Sequence, residues 1–208
     1  MLAAVNLVLA STSPYRRALL ERLGLPFRAL PPGGREVTPA ECPDPARLAA
    51  RNALGKALSL LGGQRDCLIV GSDQVVCCGG EIFGKPGSEE RAVEQLLRLA
   101  GREHELLTAV AVVRAPAGAA APGDDAPGET ALAVNQVRLR PLTRAEALAY
   151  VRADRPLDCA GAYKSEALGI ALLEYLRGDD PTAVVGLPLI ALSRLLRRCG
   201  LDPLDPGR

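Results

Sequence analysis

Ser11-Thr12-Ser13 closes a short apolar run, Leu7–Ala10, and is followed by Pro14-Tyr15-Arg16-Arg17 and an amphipathic stretch. A strand that enters a helix through small hydroxyl residues places unpartnered N–H groups and the positive end of the helix dipole at one point. Hydroxyls of Ser11 and Ser13 would add donors there, and Arg16 and Arg17 charge and forked geometry. The chemistry this suits is anion binding, a phosphorylated ligand first. The competing reading is a capped helix bearing two solvated arginines. Asp73, in Val70-Gly71-Ser72-Asp73-Gln74, is a carboxylate at the end of a buried strand, able to bind a divalent metal or orient water, or simply to cap a turn. Lys85, between Gly84 and Pro86, and Lys56, inside a largely apolar helix, could each reach a phosphate oxygen; an exposed turn lysine and a snorkelling lysine are the plainer alternatives. Glu36 could supply a second carboxylate. In Ala160–Glu166 small residues mix with Lys164 and Glu166, a loop able to wrap a base or sugar, or an ion-paired surface turn.

These residues need elements to hold them. The spacing predicts strands over Val5–Ala10, Cys67–Val70, Val75–Cys78, Glu105–Arg114 and Leu132–Arg140, with Gly79-Gly80 as a hairpin turn. It predicts helices over Arg16–Leu23, stopped by Gly24, and over Pro45–Leu61, Ser88–Leu99, Arg144–Arg152 and Pro188–Cys199. Thr143 followed by Glu146 fits a capping box. Pro26–Pro45 and Ala160–Ile170 read as loops, and Ala115–Gly128 as a hairpin tip of low complexity. Ala171–Leu176 fits a short strand or a helix equally. Alternating strands and helices with hairpins between them give an α/β fold with a mixed sheet and flanking helices.

Composition narrows the classes. The 208 residues, 48% hydrophobic, suffice for one core or for two lobes around a cleft; no linker divides residues 1–208, which read as a single domain. A net charge of +1 and 3% aromatic residues argue against a nucleic-acid polymer as partner. The six cysteines lack CxxC spacing and read as reduced thiols of a cytoplasmic protein, and the apolar N-terminal run is too short for a signal or a membrane span.

In order, Ser11–Arg17 (SxSPxRR), Gly71–Gln74 (GSDQ), Gly84–Pro86 (GKP), Cys159–Glu166 (CAGxYKSE) and Val185–Leu189 (VGLPL) resemble the motifs of the Maf nucleoside triphosphate pyrophosphatases, over nearly the whole chain. The resemblance implies two lobes around a cleft, related to the inosine triphosphate pyrophosphatases. It implies cleavage between the α- and β-phosphates of a nucleotide with a divalent cation (Mg²⁺, Mn²⁺ or Co²⁺), giving a monophosphate and pyrophosphate. The catalytic aspartate corresponds to Asp73, which with Glu36 would hold the metal. The phosphate-binding serine corresponds to Ser11 or Ser13, the arginine to Arg16 or Arg17, and the two lysines to Lys56 and Lys85.

Tyr15, Gln74 and Glu166 match the specificity positions of the YceF-like branch, which hydrolyses 7-methyl-GTP. An aromatic face and a carboxylate suit that cationic base. The branch more often carries tryptophan where this chain has Tyr15. Alternatives are a dTTP/UTP pyrophosphatase of the same family, in which glutamine would stand at Glu166, and a nucleotide-binding septum regulator without turnover. The resemblance alone implies a homodimer.

Overall fold

The computed structural model describes residues 6–117 and 128–205. Most of the Ala115–Gly128 tract, and Val5 at the start of the first expected strand, lie outside them. Among these residues seven strands form one mixed sheet: β1 (Asn6–Ala10), β2 (Phe27–Leu30), β3 (Cys67–Cys78), β4 (Glu81–Phe83), β5 (Glu103–Ala115), β6 (Gly128–Leu139) and β7 (Leu173–Arg177). Their order is β2-β1-β3-β5-β6-β7, with β4 on β3. Among the described residues five α-helices flank them: α1 (Pro14–Glu21), α2 (Pro45–Leu58), α3 (Glu89–Leu99), α4 (Arg144–Asp154) and α5 (Leu189–Arg198). Side chains of Ser13, Asp44, Ser88 and Thr143 cap α1 to α4, and Thr143 with Glu146 completes a reciprocal capping box.

Strand β3 is the axis of the molecule. It runs parallel to β1 over Cys67–Val70 and antiparallel to β4 over Val76–Cys78, while β5 pairs along its other edge from Cys67 to Cys77. Between Val70 and Val76 the β1 side of β3 therefore carries no strand. That gap separates two apolar clusters. Leu7, Leu9, Leu20, Leu192 and Leu196 pack at one end, and Val76, Phe83, Leu96, Leu99 and Val151 at the other. The expected two lobes around a cleft are thus produced by one long strand shared between them.

Helix α2 lies directly on β3 because position 71 is glycine. A Cβ there would stand 2.1 Å from the Ala53 carbonyl oxygen and 2.8 Å from the Ala57 nitrogen. Both contacts are helix backbone and cannot swing away. Gly71→Ala is therefore expected to destabilise the protein by about 2 kcal/mol, lowering Tm by roughly 4–8 °C. Calorimetry of the purified variant checks this, and an unchanged Tm would mean that α2 does not pack as described.

His104, the chain's one histidine, is buried on β5. Its Nε2 lies 2.9 Å from the Tyr163 hydroxyl, with the rings edge to face. Desolvation pulls its pKa from the ordinary 6.5 down to about 4. The unfolded chain takes up this proton below pH 6.5 and the folded chain does not. Stability is then full above that pH and falls towards pH 4, at up to about 1.4 kcal/mol per unit. Tm measured between pH 7 and pH 5 should show this slope, and His104→Gln should abolish it.

Candidate active site

The cleft encloses about 520 Å³, a volume suited to a small-molecule ligand, and opens where β3 is unpaired. Asp73 lies at its floor, buried, in register with Ala109 of β5. It stands within a continuous strand, where the sequence had suggested a break after Val70. Lys56, on the last turns of α2, reaches across so that its Nζ is 2.6 Å from Asp73 Oδ1 and 2.8 Å from Glu36 Oε1. One ammonium thus joins both candidate carboxylates. The Lys56 hydrogen bond holds the Glu36 carboxyl below its usual range against desolvation, with Lys85 and Arg16 adding to the effect.

Glu36 is placed by a residue that sequence reasoning missed. Asn52, buried one helical turn before Lys56, accepts from the Val37 N–H at 2.8 Å and donates to the Val37 carbonyl at 3.1 Å. This pair of bonds pins the loop after Gly34 against α2. The only available signal was a polar residue on the apolar face of the helix, four positions from Lys56.

At the start of α1, Ser13 Oγ accepts from the Arg16 N–H, and Ser11 Oγ accepts from the Ser13 N–H at 3.1 Å. Each hydroxyl keeps its own proton to donate into the cleft, which both residues line. Arg16 also lines it, with Nε donating to the Gly186 carbonyl at 2.9 Å. Burial lowers the Arg16 pKa from its ordinary value, while Asp73 and Glu36 counter that by favouring the charge. Gly186, at φ +114, brings the turn within contact of Arg16; a Cβ there would lie 3.4 Å from Nε. Arg17 does not join this group. It points away from the cleft lining, exposed, and pairs with Glu21 at 3.3 Å. Helical phase decides between the two arginines, since neighbours on a helix face different ways. Lys85 also lines the cleft, exposed on the segment after β4.

Tyr15, Gln74 and Glu166 all line the same cleft. The Lys164 ammonium lies 5.8 Å from the Tyr15 ring centroid, so a cation already occupies one side of this aromatic surface. Its Nζ also donates to the Asp154 carbonyl at 2.9 Å. The loop bearing Glu166 is anchored by Tyr163 on His104 and by the Lys164 N–H on the Tyr150 hydroxyl at 3.0 Å. These anchors join residues distant in sequence and had no local signature.

Asp73 and Glu36 present hard oxygen donors around one cationic position, a set that fits a divalent cation sharing its remaining sites with phosphate oxygens and water. Among the described residues no cluster of three or more His, Cys, Asp or Glu side chains could hold a metal without such help. No described helix is long and apolar enough to cross a membrane.

A relative from Bordetella pertussis named "7-methyl-GTP pyrophosphatase" is 50% identical over 199 residues, covering 96% of this chain and 94% of its own. One from Aromatoleum aromaticum with the same name is 51% identical over 196 residues, covering 94% and 96%. A solved nucleoside-triphosphatase, the dITP/XTP pyrophosphatase of Mycobacterium abscessus, aligns over 97% of this chain and 100% of its own at 14% identity, with a TM-score of 0.44. The family model described as Maf-like protein matches residues 6–199, and the motif residues Ser11, Asp73, Lys85 and Glu166 of that span meet in one cleft; the chain belongs to the Maf family.

Proposed function

We propose that this protein is a nucleoside triphosphate pyrophosphatase that hydrolyses 7-methyl-GTP to the monophosphate and pyrophosphate by attack of water at the α-phosphate. The observation that carries this reading is the buried Asp73 carboxylate, joined through Lys56 to Glu36 in a cleft that also holds Arg16 and Lys85. Full-length relatives named for this activity support the substrate.

Lys56, Lys85 and Arg16 bind the triphosphate, with the hydroxyls of Ser11 and Ser13 donating to phosphate oxygens near the start of α1. Asp73 orients the attacking water and draws its proton away as the bond to phosphorus forms. Lys56, already between the two carboxylates, is placed to neutralise charge on the phosphate as pyrophosphate departs. Asp73 and Glu36 would hold a divalent cation, which when bound would lower the charge at the α-phosphate. Glu166, Gln74 and Tyr15 select the base. A cytoplasmic location and a homodimer belong to the same proposal.

Turnover in H₂¹⁸O tests the site of attack. The label should appear in the monophosphate. Label in pyrophosphate would place the attack on the β-phosphate and overturn this assignment, and release of orthophosphate alone would indicate a different reaction.

A further inference from the structure

Gln74 is held in one orientation by a nest of oxygen atoms. Its Nε2 donates to Thr108 Oγ1 at 3.0 Å, to the Ala183 carbonyl at 2.9 Å and to the Val184 carbonyl at 3.1 Å. The carbonyls can only accept. Thr108 is buried and gives its hydroxyl proton to the Ala183 carbonyl at 2.9 Å, so it too offers Gln74 only a lone pair. A reversed amide would press Oε1 against two carbonyl oxygens with no proton between them. Oε1 is therefore turned away from the nest, and among the described residues it accepts no hydrogen bond. Gln74 lines the cleft, so what it presents there is an acceptor.

The nest itself is rigid. The Gly186 N–H closes the turn onto the Ala183 carbonyl at 2.9 Å. The buried Asp180 carboxylate accepts from the Thr182 N–H and hydroxyl and from the Ile190 N–H, tying the turn to the start of α5.

Glu166, on the loop of the same cleft, brings a carboxylate, a second acceptor group. Two acceptors lining one cleft suit a base edge bearing N–H donors. The N1–H and exocyclic amino group of a guanine supply that edge, and a positive charge on the ring strengthens both. The imide N–H of a uracil or thymine is flanked by two carbonyl oxygens, which would meet these acceptors unfavourably.

We propose that Thr108, together with the Ala183 and Val184 carbonyls, locks Gln74 as a hydrogen-bond acceptor and so sets the preference for a guanine-type edge. The inference rests on the reading of the cleft as a nucleotide site, and it makes Thr108 a positioning residue acting through Gln74.

Binding without turnover tests it. Dissociation constants for 7-methylguanosine monophosphate and for UMP are measured by calorimetry on the wild type, Thr108→Val, Thr108→Ser, Gln74→Met and the Thr108→Val/Gln74→Met double variant. The wild type should favour the guanine nucleotide, and Thr108→Val should cut that ratio by about tenfold. Thr108→Ser, which keeps the hydroxyl, should retain the ratio. In the Gln74→Met background Thr108→Val should change the ratio by less than about twofold. A Thr108→Val ratio equal to that of the wild type, or an undiminished effect in the Gln74→Met background, overturns the proposal.

A second readout needs no variant. The side-chain amide protons of Gln74 in the wild type should exchange slowly with solvent by NMR, and fast exchange would overturn the locked orientation. The outcome is separable from the catalytic reading. A protein that splits no triphosphate yet shows the Thr108-dependent ratio refutes the enzyme and keeps the lock. A protein that splits it with an unmoved ratio does the reverse.

Discussion

Replacing Asp73 by Asn is expected to lower kcat by at least about 10³-fold while triphosphate binding without divalent cation stays the same or tightens. Asparagine keeps the shape of the side chain at the cleft floor but removes the charge that would orient water and draw its proton. It also removes one negative charge facing the phosphates, so affinity for the triphosphate measured without divalent cation has no reason to fall. Kinetics of pyrophosphate release together with calorimetric Kd values separate the two effects. Turnover within about tenfold of wild type would remove Asp73 from the chemistry.

The second large effect is expected at Lys56. Its Nζ lies within 2.8 Å of oxygens on both Asp73 and Glu36, and its side chain is only 11% exposed. Lys56→Met keeps the aliphatic stem on α2 and leaves the carboxylates without their shared cation. Uncompensated charge at a mostly buried position should cost about 3 kcal/mol of stability. Because Lys56 also binds phosphate in this account, kcat/KM should drop by about 10²–10³-fold. With its hydrogen-bonding partner gone, the Glu36 carboxyl should move up towards its ordinary value, which an NMR titration reads directly. A variant with normal stability and normal kcat/KM would contradict both assignments.

The chemistry-bearing residues were readable because each lies in a short run of unusual types. Hydroxyls before a proline and two arginines, an aspartate after four buried apolar residues, and a lysine between glycine and proline are local features. Ser11, Ser13, Arg16, Lys56, Asp73, Lys85 and Glu166 do share one cleft, and Glu36 joins them. Local pattern could not choose between Arg16 and Arg17, because that depends on where the first helical turn begins. The helix starts at Pro14 rather than Arg16, which turns Arg16 to the cleft and Arg17 to solvent.

The errors in the elements have similar causes. Phe27–Leu30 lies in Pro26–Pro45, whose richness in proline and glycine predicts a loop. It is an edge strand, where flanking prolines are tolerated and only partial burial is needed. Gly71 to Gln74 suggested an interruption between two strands, yet β3 runs through them. Glycine stands there so that α2 can approach, and polar residues because that edge faces the cleft or the turn at Gly186. Leu173–Arg177 is the strand within the ambiguous stretch, preceded by a 3-10 turn at Leu168–Leu172. Asn52, Thr108, Tyr150 and His104 were invisible as site residues because their partners lie on other elements. An isolated buried polar residue says that a partner exists but not which one.

The most direct test of the central claim is pyrophosphate release by the purified protein from 7-methyl-GTP, GTP, dTTP and UTP, side by side, with Mg²⁺ and with Mn²⁺. The account predicts release from all that bind and a clear preference for 7-methyl-GTP. A preference for dTTP or UTP would contradict the account of base selection, and nucleotide binding with no pyrophosphate released from any of them would contradict the enzyme itself.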